Sequence, residues 1–393
     1  MNPLRSTSRA RLLAGGLGAV AVVAASGAVV SGAFAGDGSA PPAKPLAQAI
    51  ADGLGATAPV GITARIRFGN RLLTSSSLTG SASPLLTGAS GRLWAASDGR
   101  LRLELQSTSG DVQIVSDGST LSVYDASSKT AYLIALPKRS STDATADRSP
   151  TVTQIQQALD RAGADATISG ATPTAIAGQG AYSVRVSPKQ NGGLVGAAEL
   201  AFDAVSGVPL KAAIYATGSD QPVLELAATD ISYGPIAAST LDVKPPADAT
   251  VQRIEIPGAS SGSQHRSDSS PSSTLTPAGA QKGLSFTLAA PDTAAGLARA
   301  TLYRTGTDGV VARYGEGLGS IVVYERPAGS AKTQRSGAGG LGLPKVSIAG
   351  ASGNELATPL GTLLLLTRGD VSYTIVGSAP AASLEAAARD ILR

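Results

Sequence analysis

The sequence predicts an α+β protein: antiparallel strands forming a half-closed sheet whose inner face is covered by helices, followed by a second, smaller α+β domain. Three observations predict it. Short segments alternate apolar and polar residues with a period of two, as in GITARIRFGN, where Ile62, Ala64, Ile66 and Phe68 share one side and Arg65 and Arg67 the other. Such alternation gives each strand one wet and one apolar face, as antiparallel sheets have. Two segments carry helical spacing instead: Leu46, Ile50 and Leu54 in one, Val152, Ile155 and Leu159 in the other. Finally, residues 258–281 are rich in Ser, Gly and Pro and have neither period, so they read as a flexible linker between two strand sets.

The chain opens with an export signal. Residues 1–35 begin with Arg5, Arg9 and Arg11, continue in an apolar run from Leu12 to Phe34 and end in Ala33-Phe34-Ala35, an A-x-A cleavage pattern. Ala10 separates Arg9 from Arg11, which disfavours the twin-Arg route and leaves a Sec-type one. The run is also long enough to remain as an uncleaved N-terminal anchor. Without Cys there is no lipid-modified N-terminus. The expected location is therefore the extracytoplasmic cell envelope, secreted or anchored.

The elements follow in order. Residues 43–257 form the first domain, starting with the helix LAQAIADGLGATA (46–58). In RLRLEL, Leu101, Leu103 and Leu105 oppose Arg102 and Glu104. Asp117-Gly118 supplies the positive-φ turn from DVQIV into LSVYD, and AYLIALP returns, so that Val123 lies in phase with Leu121 and Tyr132, Ile134 and Leu136 form the matching row. A break at 138–150, the second helix and further strands bring the expectation to about nine strands and two helices by Pro257. Residues 282–393 form the smaller domain. Its PLGTLLLLTRG (359–369) reads as a buried strand, and its closing Ala-rich helix has Ser383 as N-cap candidate.

Composition excludes much chemistry. No Cys and a single His rule out thiol, iron-sulfur and His-rich metal sites. His265 lies in the Ser/Gly stretch, a poor place to hold a catalytic base, so we expect no enzyme, no cofactor and no metal. Three of the four net positive charges fall in the first 35 residues, and aromatics are only 4%, so no nucleic-acid surface is expected. YGEGLGS (314–320) resembles a phosphate loop but is followed by strand-like IVVYER, hence a hairpin turn. Asp117, Asp125, Asp203, Asp220 and Asp230 sit beside turn residues, where Asp caps backbone N–H groups. Trp94 reads as core filler or as part of a cavity wall.

What remains is an apolar concavity, and with it a choice: a dry cleft for acyl chains, or a closed core packed on the helices. The succession GRLWAASDGRLRLELQSTSGDVQIVSDGSTLSVYDASSKTAYLIALP, with a helix before its first strands, resembles the LolA/LolB/RseB-like periplasmic lipoprotein-carrier superfamily. The later RYGEGLGSIVVYERP and VSYTIVGSAPAASLEAAARDIL are similar to the extra C-terminal domain of actinobacterial LolA-like proteins. The resemblance implies a half-closed antiparallel β-barrel covered by helices, binding lipids or lipoprotein acyl chains. It also implies a second possibility, an RseB/MucB-like regulatory module that contacts a membrane-bound anti-sigma factor. The candidate lipid-binding residues are Ile66, Phe68, Leu101, Leu103, Leu105, Val123, Tyr132, Ile134 and Leu136.

Overall fold

In the computed structural model, the described residues are 38–73, 83–136, 150–190, 192–254, 274–306, 308–328 and 343–393. The export segment, His265 and most of the expected linker lie outside them. The described chain divides into two compact units.

The larger unit contains α1 (Leu46–Gly55), β1 (Gly61–Asn70), α2 (Pro84–Thr87), β2 (Ala89–Ala96), β3 (Leu101–Ser107), β4 (Gly110–Ser116), β5 (Thr120–Asp125) and β6 (Thr130–Ala135). It continues with α3 (Val152–Ala162), β7 (Ala166–Ile168), β8 (Thr172–Ile176), β9 (Gln179–Pro188), β10 (Val195–Asp203), β11 (Pro209–Ala216), β12 (Pro222–Tyr233), α4 (Ala238–Leu241) and β13 (Thr250–Ile254). All its strands join one sheet in the order β13-β6-β5-β4-β3-β2-β1-β12-β11-β10-β9-β7, with β8 also beside β9. The path does not close on itself. The sheet curls into a half-barrel, as the sequence led us to expect.

Local chemistry explains the elements. Asp117 accepts the N–H groups of Ser119 and Thr120 at 2.7 Å each, and Gly118 takes φ +88°, which together close the β4–β5 hairpin. Asp125 caps the next turn through Ser127 N–H at 2.9 Å. A capping box between Thr151 and Gln154 starts α3. At Gly91 the β3 backbone comes so close that a Cβ would stand 1.8 Å from the Glu104 carbonyl oxygen. A register shift between Arg65 and Ile66 adds twist at the centre of the sheet.

Thirteen strands and four helices are found among the described residues of this unit, more than the sequence suggested. The additional elements are too short or too exposed to show a period. β7 has three residues, α2 and α4 four each, and every residue of β13 is exposed. β13 pairs in parallel with β6, a contact that only a long return of the chain can make.

The smaller unit contains α5 (Pro277–Gln281), β14 (Thr293–Ala294), β15 (Leu297–Thr305), β16 (Gly309–Tyr314), β17 (Ile321–Pro327), β18 (Lys345–Ile348), β19 (Ala351–Thr358), β20 (Gly361–Arg368), β21 (Val371–Gly377) and α6 (Ala381–Ile391). Its sheet runs β14-β15-β16-β17-β21-β20-β19-β18. Leu302, Tyr314, Ile321, Val323, Leu364 and Ile375 bury one face with Leu384, Ala387, Ala388 and Ile391 of α6. Leu275 and Ala280 belong to the same core, so it begins before residue 282. The 314–320 stretch is the expected β16–β17 hairpin turn. The N-cap of α6 is Pro380 rather than Ser383. Ser383 already donates its N–H to the Pro380 carbonyl at 3.0 Å, so the first turn has formed before Ser383 is reached.

The stretch from Phe286 to Asp292 is stapled to this core by side chains. Gln281 brackets it through Phe286 O at 2.8 Å and Leu288 N at 2.7 Å, Arg299 binds Pro291 O at 2.7 Å, and the buried Glu325 accepts Ala289 N–H at 2.9 Å. Burial pushes the Glu325 carboxyl up to about 8 from an ordinary 4.5, against the opposing hydrogen bond from Ala289.

Two predictions follow from these contacts. Gly91→Ala should cost roughly 2–4 kcal/mol by overpacking, whereas Gly99→Ala, which meets nothing within 4 Å, should cost only about 1 kcal/mol for its positive φ; denaturant unfolding followed by Trp94 fluorescence compares them. Between pH 4.5 and about 8 the unfolded chain has released a proton that folded Glu325 retains, so the smaller unit should lose stability as pH rises through that window. The loss is on the order of 4 kcal/mol. Hydrogen exchange at β17 and β21 amides should show this slope in the wild type and a flat profile in Glu325→Gln.

Candidate functional site

Register places the candidate residues. Pairing carries one row of side chains across seven strands: Ile231, Ala64, Leu93, Leu103, Ile114, Val123 and Tyr132. A second row beside it runs Ile62, Ala95, Leu101, Ser116, Leu121 and Ile134. A third holds Ile66, Gly91, Leu105 and Val112, with Phe68 next along β1. Eight of the nine candidate residues therefore share one face. Leu136 follows the end of β6 and donates its N–H to Ser119 O at 2.7 Å.

Burial along this face is graded. Ala64, Ile66, Leu105 and Val112 are buried, and Leu85 of α2 packs onto them together with Phe68, Leu103 and Val123. Leu101, Tyr132 and Ile134 lie outside that cluster and are half-buried, and Ile254, paired with Ile134, is 43% exposed. The face is thus filled over β1 and opens toward β6 and β13 among the described residues. Further along the sheet, Leu46, Ala49 and Ile50 of α1 pack against Tyr182, Val184 and Phe202 of β9 and β10. The candidate set leaves out Leu93, Ile114 and Leu121, although GRLWAA, DVQIV and LSVYD carry the same period-two signal.

The opposite face is polar. Arg65, Arg92, Glu104 and Gln113 form one of its rows. Trp94 lies on this side, with the Arg102 guanidinium 5.2 Å from its ring centre, so it contributes to neither the apolar core nor the expected cavity wall. Glu199 accepts hydrogen bonds from Tyr215 at 2.6 Å, Lys211 at 2.9 Å and Ser183 at 3.0 Å. Burial pushes its carboxyl up, but these three donors outweigh burial and hold it below the usual range. On the apolar side, where Tyr233 pairs with Ile62, Asp203 is buried and does more than close a turn: it accepts the N–H groups of Val205 and Ser206 and, at 2.7 Å, the Tyr233 hydroxyl. Burial, reinforced by Asp203, drives the Tyr233 hydroxyl far above its ordinary value.

Cavities along the larger unit's sheet, among the described residues, include the following two. One, of about 550 Å³, lies among Leu46, Leu159, Ile168 and Lys189; the other, of about 680 Å³, lies beneath residues 238–245. None of the nine candidate residues borders either. Among the described residues no cluster of His, Asp or Glu could hold a metal ion, and no helix is long and apolar enough to cross a membrane.

No family model matches the chain, and no curated protein matches it. Solved structures do. The chain is similar to MucB in its complex with MucA(peri), at 14% identity over 88% of this chain and 94% of that one, with a TM-score of 0.36. It is similar to an uncharacterized conserved protein from Thermus thermophilus at 11% identity over 53% of this chain and 97% of that one, TM-score 0.33. A LolA superfamily protein from Nitrosomonas europaea matches at 11% identity, covering 51% of this chain and 99% of its own, TM-score 0.21.

The burial gradient makes a direct prediction. Ile66→Asp should unfold the larger unit, because a buried carboxylate there has no partner. Tyr132→Asp, at the open end, should cost only about 1–2 kcal/mol. Circular dichroism with denaturant titration separates the two.

Proposed function

We propose that this protein is an extracytoplasmic, non-enzymatic binding protein that takes the acyl chains of lipids or lipoproteins against the half-buried face of β3 to β6. The observation that carries the reading is the gradient itself: an unbroken apolar row whose far end is left partly open. Each methylene placed against such a face contributes about 0.8 kcal/mol, so an ordinary acyl chain binds without polar recognition. The A-x-A segment at 33–35 supports export. A sole His in a Ser/Gly-rich stretch supports a binding rather than a hydrolytic role.

A second reading is supported by the smaller unit, which has its own sheet and core. On that reading the chain is a regulatory module that reports envelope state to a single-span membrane partner, an anti-sigma factor.

Mass spectrometry of organic extracts from protein purified without detergent should find lipid in the wild type and far less in the Tyr132→Asp/Ile134→Asp double variant. Extracts free of lipid in both would remove the carrier reading. Co-purification of a single-span membrane protein that is lost on deleting residues 280–393, with lipid absent, would favour the regulatory one.

A further inference from the structure

On the other side of the same strands, α4 and the residues after it cover the cavity of about 680 Å³. Its floor is Val115, Ser122 and Leu133, consecutive members of the row Trp94, Arg102, Val115, Ser122, Leu133. Side chains alternate along a strand, so this floor faces away from Ile114, Val123 and Tyr132. A molecule seated there leaves the acyl face untouched, and the site stands independently of the function proposed above.

The roof is built from Leu241, Val243 and Pro245 and is pinned from below. Arg102 Nη1 donates to Thr240 O at 2.9 Å while its guanidinium stacks on Trp94, and its Nε is buried with no partner among the described residues. The space between roof and floor is of the size that holds small amphiphiles.

The mouth carries both signs of charge. Arg100 and Lys244 supply two cations, Asp117 and Asp242 two anions. Asp117 commits one oxygen to its turn, and Arg100 holds Asp98 at 2.8 Å. Lys244 and Asp242 take part in no ion pair among the described residues. A head with a single charge can pair with only one of Lys244 and Asp242 and leaves the other without a counter-charge, whereas a head that carries both charges can pair with both.

We propose that this outer cavity binds a single-chain zwitterionic amphiphile, with its tail between Val115, Leu133 and Leu241 and its head between Lys244 and Asp242. Calorimetric titration of the full chain with dodecylphosphocholine, kept below its critical micelle concentration, should give saturable binding and a change in Trp94 fluorescence. Each methylene removed from the tail should weaken it by up to about fourfold. Dodecanoate and dodecyltrimethylammonium should bind roughly tenfold more weakly, each leaving one of Asp242 and Lys244 without a counter-charge. Ser122→Phe, which fills the floor, should abolish binding, and Tyr132→Asp at the open end of the acyl face should leave it unchanged. If Ser122→Phe fails to fold, Val243→Asp on the roof, outside any strand, makes the same test. Binding that survives both outer-face variants, or that disappears only with Tyr132→Asp, overturns the site. Equal affinity for all three head groups overturns the assignment of the head.

Discussion

The in-phase register of β1 to β6 is the constraint on which the larger unit depends. Side chains alternate with a period of two, so a slip of one residue in any hairpin would send its apolar row to the wet side and bring Arg92, Arg102 or Glu104 into the core. Short turns fix that register. Asp117 and Asp125 each hold two backbone N–H groups of the residues that follow, and Gly118 supplies a positive φ between strands. Gly91 does the same work inside a strand, where the close approach of β3 leaves no space for a side chain.

Once the register is set, the two faces acquire different chemistry. The inner one is apolar from Ile231 to Tyr132 and is filled where α2 and the neighbouring strands reach it. The outer one is a surface of charge pairs and stacked cations, including Glu199 with its three donors and Arg102 between Trp94 and Thr240. Adjacent residues on one strand never share a side, so the chemistry of each face is set independently of the other. The smaller unit follows a different plan. Its terminal helix α6 covers its apolar face, and the buried Glu325 fastens an irregular stretch of chain that has few backbone partners of its own.

The sequence by itself determined the parity of each strand, the position of the main turns, the two long helices of the larger unit and the helix that ends the smaller one. These are local matters: alternation, an Asp-Gly pair or a Thr-x-x-Gln box acts within a few residues. It also placed eight of the nine candidate residues on one face, since that follows from parity alone. Only the tertiary structure decided how far each of them is buried. Ile66 and Leu105 are covered while Tyr132 and Ile134 are half-open, because cover depends on where α2 packs, and four residues leave no period to read. The same holds for β13 and the roof over the outer cavity: both are made when the chain returns from β12 to lie beside β6, a long-range contact with no local signature.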